Sequence, residues 1–551
     1  MAVESTGDHR EPEPADDASP DADDAGPASV TEESAPEAES APAEAPPGNA
    51  PSPAVPSPAP KRARRTPRKP AAKGSTPRGA RRSRAKVVPY LTPGERVAQG
   101  KATRAEVGRS VLGEWAPPPN RRDPVELLEE QAAPRVEELV PIRYGRMLVS
   151  PFTFFRGAAY LMASDLAGVP RTGLQVQLCG DAHLSNFGVY ASPDRRLVFS
   201  VNDFDETLPG PFEWDLKRLV ASFAVAGRDR GFGAKQRRAI NLRASCAYRA
   251  AMKSFAGMDT LTEWYARIDV DDVVPLFAQR ASKKQMKQVD RDVAKARTKD
   301  SLKAFAKLTH LVDGEPRITS DPPLIVPVED IVQPSDHGGF DEFLHGLVRS
   351  YRETLPGDRR RLLERFRYVH AARKVVGVGS VGTRVWIVLL LGRDESSPLF
   401  LQVKEAEASV LEPFLGKSAF SHHGRRVVEG QQLTQAASDI MLGWLRMTDV
   451  DGVDRDFYVR QLWDSKGSAV IETMNPKTMA NYAEVCGWAL AKSHARSGDA
   501  LAISSYVGAS DALDRALSAF GETYADQNDL DYEALKAAAA TGRVKAEQSP
   551  P

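Results

Sequence analysis

The chain has 551 residues, 74 of them basic and 74 acidic, with three cysteines. Equal charges say nothing about partners, and three scattered cysteines without a C-x-x-C pair argue against a disulfide framework or a zinc site. The longest aliphatic run, VWIVLLL, is too short to span a bilayer, so the expectation is a cytoplasmic protein with no membrane contact.

Residues 1–60 hold fourteen acidic residues against one arginine and are rich in Pro and Ala; residues 61–86 hold twelve Lys or Arg and no acid. Neither block can bury enough apolar surface to offset ordering entropy, so 1–90 is expected to be a disordered tail. The basic block could make weak, non-specific contact with nucleic acid through phosphates, or the two blocks could neutralise each other. About 450 residues remain, enough for two lobes.

Residues 90–150 are polar and show no strand signal. A helix is predicted over FRGAAYLMASDLAG from its three- and four-residue apolar spacing. LQVQL then alternates as a strand, and two β-rich runs, FGVY and RLVFSV, flank a Ser192-Pro193-Asp194 turn. Between them lies Gly180-Asp181-Ala182-His183-Leu184-Ser185-Asn186, and after them Asn202-Asp203-Phe204-Asp205-Glu206.

This order, strand, polar loop, hairpin, acidic turn, delivers Asp181, Asn186 and Asp203 to one place. Phosphoryl transfer needs such groups: a carboxylate to take the nucleophile's proton and oxygen ligands to hold Mg²⁺ against phosphates. The Asp-to-Asn spacing resembles the kinase H-R-D-x-x-x-x-N followed by D-F-G. It resembles still more the H-G-D-x-H-x-x-N of aminoglycoside and choline phosphotransferases, with Cys179 replacing the first His.

The acidic turn passes within a few residues into the helix begun by Glu213-Trp214-Asp215, leaving no room for an activation loop and pointing to a small acceptor. Asp215 could serve the substrate or simply the helix N-terminus.

Residues 235–370 are read as mostly helical. At Lys374 the texture becomes strand, glycine turn, strand, with Gly377, Gly379 and Gly382 in a G-x-G-x-x-G pattern. No helix follows at once, which argues against a dinucleotide site. The next strand, PLFLQVKEA, carries Lys404. These are the parts of a phosphate-covering hairpin and a phosphate-clamping lysine. Glu429, on the helix VVEGQQLTQAASDIMLGWL, is expected to orient Lys404, with Glu407 and Glu412 competing. FYVRQLWD and SAVIETM read as further strands, and YAEVCGWALAKSHARSGD as a helix whose His494 and Arg496 could touch substrate or favour its C-terminus.

The glycine hairpin and lysine follow the catalytic loop, where kinases place them before it. The expected fold is therefore α+β, two-lobed and protein-kinase-like but circularly permuted: a catalytic half over 91–370, a nucleotide-covering half over 371–480, and helices over 481–540 returning beside the catalytic loop. The strings SPFTFFRGAA, CGDAHLSNFG, NDFDETLPGPFEWDLKRL, LQVKEA, QAASDIMLGW and AKSHARSGD resemble the bacterial family called domain of unknown function 2252, grouped with kinase-like folds. That resemblance implies a phosphotransferase fold without naming a substrate. The leading expectation is an ATP- and Mg²⁺-dependent phosphotransferase acting on a small hydroxylated molecule, with Asp181 as base, Asn186 and Asp203 as metal ligands, and Lys404 as clamp. The alternatives are a non-catalytic nucleotide-binding scaffold and a nucleotidyl transferase on the same metal site.

Overall fold

The computed structural model describes residues 90–547, apart from 279–282, 332–336, 376, 378, 449–451 and 463. The acidic and basic tail, with its expected nucleic-acid contact at 61–86, lies outside the described residues, except for its last residue, Tyr90. What is described is a mixed α+β fold.

Its strands in chain order are β1 (Gln175–Leu178), β2 (Phe187–Ala191), β3 (Leu197–Val201), β4 (Leu208–Pro211), β5 (Ile268–Asp269), β6 (Thr309–Val312), β7 (Glu315–Ile318), β8 (Ile325–Pro327), β9 (Arg367–Lys374), β10 (Val385–Leu391), β11 (Pro398–Glu405), β12 (Gly443–Thr448), β13 (Asp454–Gln461) and β14 (Gly467–Ser468). Six of them form one antiparallel sheet in the order β12-β13-β11-β10-β9-β8. β11 lies inside it and is buried along its whole length, as its unbroken LFLQV run requires. The helix His423–Thr434 follows β11 in the chain and packs on β12 and β13.

A second sheet runs β14-β2-β3-β5, and β1 pairs with β4. Both rest on a helical body. At its centre is the Glu213–Asp229 helix, buried from Glu213 through Gly227. Its Leu216, Leu219, Val220 and Phe223 belong to the main apolar core, and Ala221 and Ala224 let neighbouring helices approach its other faces. The Ala234–Phe255, Pro476–Ser497 and Ala512–Ala540 helices surround it.

Three expectations change. The single helix over 155–168 is two, Pro151–Gly157 and Ala159–Ala167; the Arg143 guanidinium takes the Gly157 carbonyl at 3.1 Å. The stretch 235–370 is not purely helical, because β6 and β7 form a hairpin whose Asp313 and Gly314 both have positive φ. Asp-Gly between short apolar runs is the sequence signal for that turn. The long sheet also draws β8 and the start of β9 from before residue 371. All three cysteines are free. No helix among the described residues is long and apolar enough to cross a membrane.

The Pro476–Ser497 and Ala234–Phe255 helices meet backbone to backbone at Gly487, where a Cβ would stand 2.2 Å from the Ala244 carbonyl oxygen. Gly487→Val should therefore cost the roughly 1–3 kcal/mol typical of overpacking, or more, and lower the melting temperature. Thermal denaturation followed by circular dichroism checks this; an unchanged Tm would mean that the helices can part freely.

Candidate active site

Asp215 builds the loop between β1 and β2. Its buried carboxylate accepts the backbone N–H groups of Cys179 at 2.8 Å and Gly180 at 3.1 Å, and His494 Nε2 lies 3.3 Å from it. Gly180 has a positive φ, and a Cβ there would lie 2.2 Å from the Glu206 carbonyl oxygen, so loop and acidic turn touch only because the residue is glycine. The Tyr482 hydroxyl donates to the carbonyls of Leu184 and Phe187 at 2.8 and 3.1 Å, which sets the Pro476–Ser497 helix beside the loop.

The loop fixes its own polar groups. Asn186 donates its side-chain N–H to the Asp181 carbonyl at 2.8 Å, which leaves its Oδ1 unused by that bond. Arg218, nearly sealed from solvent, donates through Nε to Asp181 Oδ1 at 2.9 Å and through Nη2 to the Phe155 carbonyl at 2.6 Å. His183 Nδ1 accepts the Ser185 N–H at 3.2 Å, and Nε2 lies 3.7 Å from Asp181 Oδ2. Burial, aided by Arg156 and Arg218 against Asp181 and Asp203, lowers the His183 pKa to about 4. The imidazole is therefore neutral at pH 7, with its proton on Nε2.

The acidic turn is tied to three elements. Thr207 Oγ1 donates to the Leu178 carbonyl at 2.6 Å. Arg426, on the His423–Thr434 helix, donates to the carbonyls of Asp205 and Thr207, both at 2.7 Å, and of Glu407 at 2.8 Å. Lys404 Nζ donates to the Asp205 carboxylate, whose other oxygen accepts the Tyr458 hydroxyl at 2.8 Å. Burial works against the Lys404 charge, but Asp203 and Asp205 hold its pKa above the ordinary value. Burial likewise opposes ionisation of Asp203, and Lys404, Arg460 and Lys466 outweigh it, holding the carboxyl at about 2.

Asp181, Asn186, Asp203, Gly377 and Gly379 all line one cleft of about 640 Å³. Gly382 does not; it is buried with a positive φ, its carbonyl accepts the Val136 N–H at 2.8 Å, and a Cβ would stand 3.0 Å from Arg135 Cβ. It docks the hairpin rather than facing the cleft. Glu429 is the clear correction: it pairs with Arg425 at 3.1 Å, one turn away on the exposed face of its helix, while Lys404 is buried against Asp205. His494, fully buried, bonds Tyr248 at 2.9 Å and faces Asp215, and Arg496 donates to the backbone of Leu433; neither borders the cleft. Sequence reasoning missed Asp205, Arg218, Arg426 and Tyr458 as partners in this network. Only Asp205, set in the same acidic string, carried a visible signal.

Fold and cleft define an α+β protein whose polar loop, acidic turn and glycine hairpin converge on one site. Residues 135–538 match the family described as an uncharacterized protein conserved in bacteria, DUF2252, and the chain belongs to that family. No curated protein and no solved structure matches it.

Glu206 gives the cleft a measurable pH signature. Burial pushes its carboxyl up to about 7, against Arg426 and the Val410 N–H at 2.8 Å. The folded protein thus holds an extra proton between about 4.5 and 7, and the stabilisation is full below 4.5 and lost as pH rises through 7. Glu206→Gln should raise Tm relative to wild type at pH 8, and the gain should vanish at pH 4. A gain of equal size at both pH values would contradict the burial of this carboxyl.

Proposed function

We propose that the protein is an ATP- and Mg²⁺-dependent phosphotransferase acting on a small hydroxylated molecule, on a two-lobed, circularly permuted kinase-like fold. The observation that carries this reading is the convergence of Asp181, Asn186 and Asp203 with Gly377 and Gly379 in one cleft, with Lys404 bonded to the same acidic turn. The sheet supports it. A glycine hairpin between β9 and β10, a lysine on β11 and a following helix reproduce the kinase sequence of parts. The catalytic-loop segment, β2, β3 and acidic turn precede these in the chain, as a permutation requires.

Among the described residues no group of three His, Cys, Asp or Glu could hold a metal unaided. Mg²⁺ seldom asks for one, since it commonly binds one or two protein oxygens together with substrate phosphates. The donor set fits: Asp203 stays ionised and accepts, among the described residues, only the Asp205 N–H at 3.4 Å, and Asn186 offers its Oδ1. The metal when bound would neutralise phosphate charge and hold the nucleotide against these two residues.

The chain's own groups do the rest. Arg218 holds one oxygen of Asp181, and the other, 3.7 Å from His183 Nε2, would receive the acceptor's hydroxyl proton. Lys404, oriented by Asp205 and Tyr458 rather than by Glu429, supplies the cation for the nucleotide's phosphates. The glycine hairpin covers them with backbone, anchored by Arg146 Nη1 on the Gly377 carbonyl at 3.2 Å. Glu206, Asp205 and the short passage to Asp215 leave space for a small acceptor and none for a long activation segment.

With metabolite extract as the source of acceptors and mass spectrometry of the products, wild type should add phosphate to one class of small molecule. Asp181→Asn should reduce that turnover by about 10²-fold or more while leaving MgATP affinity near wild type. Asp203→Ala should weaken MgATP binding itself. Full turnover by Asp181→Asn would remove the base assignment, and addition of AMP in place of phosphate would convert the reading to nucleotidyl transfer.

A further inference from the structure

Of the two arginines that line the cleft among the described residues, one has a bond and one has none. Arg218 holds Asp181 and the Phe155 carbonyl, Arg143 holds Gln131 and the Gly157 carbonyl, and Arg135 donates to the Val381 carbonyl. Arg156 makes no hydrogen bond or ion pair among the described residues, and its Nε is sealed from solvent without a partner. It closes the last turn of the Pro151–Gly157 helix and lines the cleft together with Asp181, Asn186 and Asp203. The glycine hairpin lies against its backbone: a Cβ on Gly379 would be 3.6 Å from the Arg156 carbonyl oxygen. Lys417, the other unbonded cation of the cleft wall, stands exposed in solvent.

A half-buried guanidinium without a partner is costly, since it gives up hydration and recovers nothing inside the protein. Its place is explained if an anion completes it. The position, between the hairpin that would cover phosphates and the carboxylate that would take the acceptor's proton, selects which anion. The planar fork of N–H donors matches phosphoryl oxygens, and a fixed cation beside a loose, charge-spread transition state is the role an arginine finger fills.

We propose that Arg156 is a further catalytic residue, an arginine finger supplied in cis that contacts the phosphoryl group in transit; this rests on the phosphotransferase reading above. In that step the acceptor's hydroxyl oxygen forms a bond to the γ-phosphorus and its proton passes to Asp181. The bond from the γ-phosphorus to the bridging oxygen breaks, and the electron pair leaves with ADP. Arg156 neutralises charge on the three oxygens that stay with the moving phosphorus.

The test needs no knowledge of the acceptor. Full-length protein is titrated with ADP and Mg²⁺, with and without aluminium fluoride, a planar mimic of the phosphoryl group, and affinity is read by calorimetry. Aluminium fluoride should tighten ADP binding to wild type. Arg156→Ala should keep wild-type affinity for MgADP alone but lose the tightening, by about 10²-fold. Added guanidinium ion should restore part of it, and Arg156→Lys, which lacks the fork, should restore little. Full tightening in Arg156→Ala would overturn the assignment and leave the arginine to an anionic group on the acceptor. Equal loss of MgADP affinity would reduce Arg156 to a structural role and overturn it too. Wild-type protein that bound no MgADP would remove the phosphotransferase reading itself, an outcome distinct from either.

Discussion

The bond from Lys404 to Asp205 joins residues 199 positions apart, and the site is organised about it. It fastens the centre of the six-stranded sheet to the acidic turn, and it does so where the lysine is only 3% exposed. Removing one partner of a buried pair leaves an uncompensated charge and costs about 3–5 kcal/mol, whereas an exposed pair such as Arg425–Glu429 is worth at most about 1 kcal/mol. The first pair is therefore a constraint on the fold, and the second is decoration of a helix surface. Arg426 reinforces the constraint, since its three backbone acceptors lie on both sides of the same junction.

That hierarchy explains what the sequence made legible. That Asp181, Asn186 and Asp203 meet at one cleft could be read because loop and turn are short, local and separated by a hairpin whose alternation is plain. Gly377 and Gly379 could be read for the same reason. The partner of Lys404 could not. A lysine in a strand offers no local clue to what faces it, and helix carboxylates such as Glu429 offer themselves by analogy. The deciding fact is which face of the His423–Thr434 helix is buried: Gly430, where a Cβ would meet Thr207 within 2.5 Å, and Arg426 face the acidic turn, so Glu429 looks outward. The hairpin of β6 and β7 was hidden differently, by charged flanks that read as helix faces until Asp313 and Gly314 are taken as a turn.

Charged groups about the cleft are of two kinds. On the sheet side Lys404, Arg460 and Lys466 surround Asp203 and keep it ionised. Burial meanwhile pushes up the carboxyls of Glu206 and Glu407, which line the cleft, so each is more easily neutral. A ligand bringing several negative charges would gain from the first group and meet little repulsion from the second. The same pattern would penalise a cationic ligand set deep against the sheet.

The loop itself is stiffened from outside. Asp215 takes two of its N–H groups, Tyr482 gives its hydroxyl to two of its carbonyls, and Gly180 presses it onto the turn after Asp203. Asp215 lies in the first turn of the central buried helix and Tyr482 on the helix that follows β14, so two helices far apart in the chain brace one short segment. A loop held by partners so distant in sequence does not depend on the order in which they are strung. That independence is what allows the polar loop to precede, in the chain, the glycine hairpin that lines the same cleft.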